Sequence, residues 1–488
     1  MKSTKPHESE QESLLKSLER GIELLKATAH DTRLQILIYL LESEKSFPYL
    51  HKKIRPKQAA KVKISKTALS HHLNQLIETG LVEKTARGMY SLTDYGSVII
   101  EQVRAIISTS QNGQTGRPRH PKQFTDIKNY LQTSDMSKNL TSTNPVYQSG
   151  WNSYISTVSG ILEALGMNDD YVYLSGRSGF CFIFKMPRGP SSYLGEGVIS
   201  DKAWKEIYEG TESFGWKITE WRSQRVYPHM WNLTGEDFET AKEMFYRIRF
   251  IIDQYDTPVA LWGVRVPNFG IVKGYDDDSY IVSTYYRKES RKDTPVRYDS
   301  LYPLGTFKFL YFTKSDEIRS VEEEDKKSII RAIKMAKGID IAPENPVLGS
   351  EHIAGLEAYD EFARTLLNFD MDLHPLVKLG TAFYSRFYHD AKCIAMEYLE
   401  RVARKYASLP QAEPLIKASK EYRAIKNIFD ECMELFPYFE IKVQPSPTSI
   451  TDENRKRGAK IILDAQKHEK AAISFLEEAV DLWEFSSR

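Results

Sequence analysis

Residues 64–95 read ISKTALSHHLNQLIETGLVEKTARGMYSLTDY, and the reading of this stretch decides the rest. Ser65 is a hydroxyl residue suited to cap a helix. Leu69, Leu73, Leu76 and Ile77 then recur at helical spacing, which predicts one apolar stripe. The opposite face carries Lys66, Thr67, Ser70, His71, Asn74 and Gln75, all able to hydrogen-bond. Gly80 stands where a left-handed cap would end the helix. Two short strands are expected next, residues 81–85 and 89–92, joined by a turn at Ala86, Arg87 and Gly88.

The chain around it has 488 residues, enough for about three domains. Hydrophobic residues make up 41%, so real cores are affordable, while a formal net charge of +1 rules out a polycation. Any nucleic-acid surface must therefore come from local segregation of charge. Cys181, Cys393 and Cys432 are widely spaced, so neither a disulfide framework nor a zinc knuckle is indicated. The first residues lack an apolar signal core and no apolar run is long enough to span a membrane. The expectation is a cytoplasmic, nucleoid-associated protein with no membrane partner, no cofactor and no metal.

A helix with a polar face followed by a β-hairpin is the pattern of a winged helix-turn-helix, whose task is to read DNA. Before it, residues 13–28 place leucines at helical spacing, and Asp31 can cap a helix over residues 32–41 whose Leu34, Leu37, Ile38 and Leu41 form a buried face. Residues 47–62 read as a loop-rich insertion. Lys52, Lys53, Arg55, Lys57 and Lys61, with Lys63 just beyond, form a run without an acid. A solvated loop would explain them; their place directly before the reading helix favours phosphate contact instead.

These residues carry a resemblance. The segment AHDTRLQILIYL, then SKTALSHHLNQLIETGLVEKTARGMYSLTDYG, resembles the arsenical-resistance repressor (ArsR) type of winged helix. Asp31, Arg33, Ile36 and Leu37 fill its first motif. Ser70, His72, Leu73, Leu76, Gly80, Leu81 and Val82 fill its second, and Tyr90, Leu92, Thr93 and Gly96 its third. The likeness covers roughly residues 13–105, with three pieces agreeing in order and spacing. It implies that Lys66, Thr67, Ser70, His71 and Asn74 face the major groove and that Arg87 approaches the minor groove, while His72 packs. It also implies a homodimer formed through the helix at residues 98–107. The cysteine pair of metal-sensing members is missing, so metal sensing is not supported.

Residues 108–148 are polar and carry glycine and proline, which reads as a linker. Within it, Gly116-Arg117-Pro118-Arg119-His120-Pro121-Lys122 resembles an AT-hook, in which Arg117 and Arg119 would enter a narrow A·T minor groove. A basic linker is the plain alternative.

From Trp151 the chain becomes aromatic and β-rich. Residues 151–165 read as a helix, YVYLSGRSGFCFIFKM as a strand pair with a glycine-bearing turn, and residues 204–208 and 238–254 as helices. PVALWGVRV, FGIVKGYDDDSYIVST and TFKFLYFT read as strands, giving an α+β domain. WNSYISTVSGILEALG, LSGRSGFCFIF and GIVKGYDDDSY together resemble the papain-like group of bacteriocin-leader peptidases and butirosin-biosynthesis acyltransferases. That group places a cysteine at the helix start and a histidine on the hairpin. Here Asn152-Ser153-Tyr154 and Pro267-Asn268-Phe269 stand at those places, so the thiolate–imidazolium pair is missing. Cys181 lies in an apolar run and reads as packing. His229 could serve as a relocated base, but no sequence feature supports that.

The remaining scaffold is expected to form a pocket rimmed by Ser175, Arg177, Trp262, Arg265, Asn268, Tyr275 and Asp276, with Arg177 or Arg265 holding an anionic group. An ordinary core with surface arginines is the plain alternative. The Asp276-Asp277-Asp278 run reads as turn chemistry rather than a calcium loop. From about residue 315 five segments show helical apolar spacing.

The fold class expected is multidomain: an α winged helix-turn-helix with a β wing (residues 1–107), a linker (108–148), an α+β papain-like domain (149–315) and an all-α bundle (316–488). The function expected is a sequence-specific transcriptional regulator, binding double-stranded DNA and an unknown small ligand through a catalytically degenerate sensor. Two rivals stand beside it. One is a cysteine or serine acyltransferase or peptidase with a DNA-binding tether; the other is an architectural binder of A·T-rich DNA.

Overall fold

The computed structural model describes residues 31–42, 44–54, 65–85, 88–93, 137–140, 143–167, 170–188, 198–223, 236–287, 291–302, 305–317, 319–344, 351–369, 375–442 and 448–486. The expected helices at residues 13–28 and 98–107, the dimer they would form and the AT-hook-like stretch lie outside these residues.

The N-terminal unit contains α1 (Asp31–Glu42), β1 (Lys45–Ser46), α2 (Phe47–Lys53), α3 (Lys66–Glu78), β2 (Val82–Lys84) and β3 (Met89–Leu92). Its strands form a three-stranded antiparallel sheet in the order β1-β3-β2. One small core joins Ile36, Leu37 and Leu40 of α1 to Leu50 and Ile54 and to Leu69, Leu73 and Leu76 of α3. The stretch expected as a loop-rich insertion is helical in its first part. Ser46 Oγ accepts the Tyr49 amide at 3.4 Å, and a proline in the first turn costs no helical hydrogen bond. Leu50 then anchors α2, which precedes α3 as the first helix of a helix-turn-helix precedes its second.

The larger body starts earlier than expected. Within the stretch assigned to the linker, β4 (Ser137–Asn139) pairs with β8 (Phe269–Asp276). A Cβ on Gly274 would sit 2.2 Å from the Lys138 carbonyl oxygen, so this pairing requires the glycine. The other strands are β6 (Trp216–Arg222), β7 (Val259–Trp262), β9 (Ser279–Ser283), β10 (Val296–Arg297) and β11 (Lys308–Lys314). With β4 attached to β8, they form a seven-stranded antiparallel sheet in the order β10-β9-β8-β7-β11-β6.

Both faces of this sheet are covered. Alternation sends Phe309 and Tyr311 to one face, against Met244, Phe245, Ile248 and Ile252 of α7 (Glu236–Tyr255). Leu310 and Phe312 turn to the other, against α4 (Ser153–Ala164) and α6 (Asp201–Glu212). Residues from Ser153 to Leu162 of α4 are all buried, which its many small side chains permit.

Residues 171–187 depart from the expected strand pair. Tyr171–Ser178 forms helix α5, Phe180–Phe182 a 3₁₀ turn, and only Lys185–Pro187 a strand, β5. Asp170 Oδ1 accepts the amides of Val172 and Tyr173, each at 3.1 Å, and Gly179 ends the helix at φ +78°. The apolar run here marks burial from all sides by helices rather than a β face.

The C-terminal helices are α8 (Val321–Ala336), α9 (Leu356–Asn368), α10 (Pro375–Lys405), α11 (Ala412–Leu435), the single turn α12 (Tyr438–Ile441) and α13 (Asp452–Ser486). They are not a separate all-α unit. Strand β12 (His352–Ala354) pairs with β5, and one hydrophobic core runs from Tyr147 and Ile155 through Phe182 and Phe184 to Leu476 and Trp483.

Candidate nucleic-acid interface

Helix α3 is built from its ends inward. Ser65 Oγ accepts the Ala68 amide at 3.1 Å, filling one of the open donors of the first turn. At the other end Gly80 takes φ +73°, its amide donates to Ile77 at 2.9 Å and the Leu81 amide donates to Leu76 at 3.0 Å. This is a left-handed closure that a side chain would strain. Leu69, Leu73 and Leu76 are buried between these ends, which turns Lys66, Thr67, Ser70, His71 and Asn74 outward, and all five are exposed. His72 is half-buried on the flank.

Gln75 is also half-buried, and Arg33 of α1 donates to its Oε1 at 2.6 Å, tying α3 to α1. The first turn of α3 has no acid, so its N-terminal dipole and Lys66 together favour an anion such as a phosphate. Lys52 and Lys53 are exposed at the end of α2.

The wing is a short hairpin in the register Val82↔Leu92 to Lys84↔Tyr90. Gly88 at φ +72° makes the turn, its amide donating to Thr85 at 3.1 Å, and Thr93 Oγ1 donates to the Gly80 carbonyl at 2.6 Å, holding the wing root against the end of α3. Arg87, Lys57, Arg117 and Arg119 lie outside the described residues.

The residues expected to rim a pocket fall in three places. Arg265 and Asn268 share the turn between β7 and β8. Arg265 faces Asp293 at 3.7 Å, donates to Thr294 Oγ1 at 3.1 Å and stacks 4.6 Å from the Tyr286 ring. Tyr275 and Asp276 are at the far end of β8. Tyr275 is buried towards α7, donating to both Asp253 carboxylate oxygens at 2.9 Å, whereas Asp276 is exposed. Arg177 is buried in the helical core, 2.9 Å from the fully buried Asp325 carboxylate, to which Tyr406 also donates at 2.9 Å. Ser175 and Trp262 are buried as well. Both candidate arginines thus already face a carboxylate. In the turn after Asp276, Asp278 pairs with Arg297, as structural turn chemistry would have it.

The segments Asn152-Ser153-Tyr154 and Pro267-Asn268-Phe269 meet: Ser153 Oγ, at the start of α4, accepts the Phe269 amide at 3.0 Å. Cys181 lies elsewhere, in the core beneath α5, where burial pushes its thiol up to about 12. The sequence reading missed Lys308, which enters the same neighbourhood from β11; the signal was a lone lysine inside the apolar run TFKFLYF. Among the described residues no helix is long and apolar enough to cross a membrane.

No curated protein matches the chain. Residues 59–84, spanning the start and body of α3 and the first wing strand, match the model of the bacterial regulatory protein, arsR family. The segment that presents five exposed polar side chains on a core-anchored helix is therefore the segment similar to the helix-turn-helix of arsR-family regulators.

Proposed function

We propose that this protein is a sequence-specific DNA-binding transcriptional regulator, with residues 1–107 as reader and the body from residue 137 onward as a sensor of a small ligand. The observation that carries the reading is the outward set of Lys66, Thr67, Ser70, His71 and Asn74 on a helix capped at both ends. Hydroxyl, imidazole and amide groups there specify bases, while Lys52 and Lys57 hold the backbone, and Arg87, with Arg117 and Arg119 on the hook-like stretch, approaches the minor groove. A homodimer would set two such helices on successive faces of a palindrome.

For the sensor, the support is the meeting of Ser153 with the strand that begins at Phe269, a papain-like juxtaposition with serine and asparagine in place of the catalytic pair. Residues of the adjoining turn, Arg265 and Asn268, are the nearest ligand contacts by this reading, with Arg177, Tyr275 and Asp276 acting from further off. A ligand that prefers one arrangement of the sensor would shift the population of reader arrangements and so change operator affinity.

The test is selection of bound fragments from genomic DNA by the purified full-length protein, followed by titration of the selected site against random sequence at fixed salt. A regulator binds its site roughly 10³-fold or more tightly than random DNA. Equal affinity for both would overturn the reading.

A further inference from the structure

Lys308 is placed unlike the other cations of the sheet. It lies on β11 opposite Arg222 of β6, in the cross-strand row that continues through Trp262 and Phe269, which pair between β7 and β8. Its side chain points to the face covered by α4 and α6 and is only 6% exposed. The amine lies 4.2 Å from the centre of the Trp204 ring, 5.1 Å from Phe269 and 5.8 Å from Trp262. Tyr154 of α4 packs on two of the same rings, 5.2 Å from Trp204 and 5.6 Å from Phe269.

The nearby acids are committed elsewhere. Arg222 holds Asp201 at 2.6 Å and Glu220 at 2.9 Å, and Tyr208 donates to the other Glu220 oxygen at 2.6 Å. Among the described residues no carboxylate stands within ion-pair distance of Lys308. A lysine desolvated by aromatic rings and left without a counter-ion is the arrangement that makes an amine nucleophilic. Burial accordingly lowers its titration to about 8, with Glu220 and Asp201 opposing and Arg222 assisting.

We propose that Lys308 is an imine-forming site, and that the small ligand sensed by this body is an aldehyde that condenses reversibly with it. The amine nitrogen's lone pair attacks the carbonyl carbon, and the C=O π pair moves to oxygen. The nitrogen loses its protons to solvent and to the departing oxygen, water leaves, and a C=N bond remains. Nothing is oxidised or reduced. The protonated imine is a cation, which the faces of Trp204, Trp262 and Phe269 stabilise. Condensation beside the contact between Ser153 and Phe269 would strain or relieve the junction of α4 with β8. This names the ligand class for the sensing role proposed above and rests on it, although the amine chemistry is read without DNA.

The experiment treats the full chain at about pH 7.4 with formaldehyde, propanal or a benzaldehyde, each trapped by cyanoborohydride and mapped by peptide mass. Lys308 holds roughly 200-fold more free amine at that pH than an ordinary lysine, so its adduct should form tens of times faster than that of exposed Lys205. Lys308→Arg, which keeps the cation against the rings, should fold as the wild type does and give no fast adduct. Labelling no faster than Lys205 overturns the nucleophile. Labelling by formaldehyde alone overturns the aldehyde ligand site, because no room then exists for a substituent. Adduct formation that leaves DNA affinity unchanged overturns the sensing role of the imine. Loss of operator preference without any aldehyde instead bears on the regulator reading itself.

Discussion

Arg33 Nη1 donates to Gln75 Oε1 at 2.6 Å across 42 positions of sequence, joining α1 to the flank of α3. The bond sets how α3 rotates about its own axis relative to the small core, and hence the direction in which Ser70 and Asn74 point. Arg33→Ala should weaken operator binding by about 1–2 kcal/mol through lost preorganisation. Gln75→Ala should do the same, and the double variant should add little to either. Fluorescence anisotropy with the selected site measures all three.

Exposed residues of α3 and α2 should separate by kind. Ser70→Ala or His71→Ala should reduce discrimination between the selected site and single-base variants, by about 1–3 kcal/mol at the affected position. Lys52→Ala should instead weaken binding to every sequence and lower the slope of log K against log salt by about 0.9. Loss of discrimination in Lys52→Ala would contradict the assignment.

Cys181 should be chemically silent. With burial pushing its thiol up to about 12, native protein at about pH 8 should resist iodoacetamide at this residue, while half-buried Cys393 labels first. Denaturant should expose Cys181. An acyl adduct on native Cys181 or Ser153 would favour the enzyme reading over the sensor.

Lys392 and Glu469 form an ion pair at 2.8 Å with both side chains fully buried, and Tyr359 and Tyr422 donate to the same carboxylate at 2.8 and 2.9 Å. Lys392→Met leaves a buried carboxylate without its cation and should cost about 3–5 kcal/mol. Replacing Glu469 by leucine as well should recover part of that loss. Urea unfolding followed by circular dichroism would measure it, provided the transition remains two-state.

Lys308 also gives a pH signature. Its folded-state titration, near 8, is below the unfolded value, so the unfolded chain binds more protons between the two. Stability should therefore rise with pH through that window, by roughly 3 kcal/mol at most from this residue. Below about pH 8 the full penalty of the buried cation applies. Lys308→Met should flatten the rise, measured as the difference in unfolding midpoint between about pH 7 and 10.

Helix α3 and the hairpin after it were legible because their signals are local. Ser65, the leucine stripe and Gly80 act within three or four residues of the groups they satisfy, and the turn at Gly88 is read from adjacent positions. The β8–β9 hairpin and α7 were legible for the same reason, from alternation and period. Where local and distant demands differed, the sequence misled: the apolar FCFIF segment has the composition of a strand, yet it is packed by helices, α8, α9 and α10 among them, that lie much further along the chain. The 47–53 segment looked like a loop because its basic residues hid the cap at Ser46 and the anchor at Leu50.

The sequence alone therefore determined the existence, ends and polar face of α3, since capping and amphipathic periodicity are properties of neighbouring residues. Tertiary structure decided which charged groups are still available. It tied Arg177 to Asp325 and Arg265 to Asp293, drew β4 and the C-terminal helices into the same body as the sheet, and left Lys308 among three rings with its nearby acids bound to Arg222 and Tyr208. Counter-ion pairing and burial depend on partners distant in the chain, and no local pattern of residues encodes them.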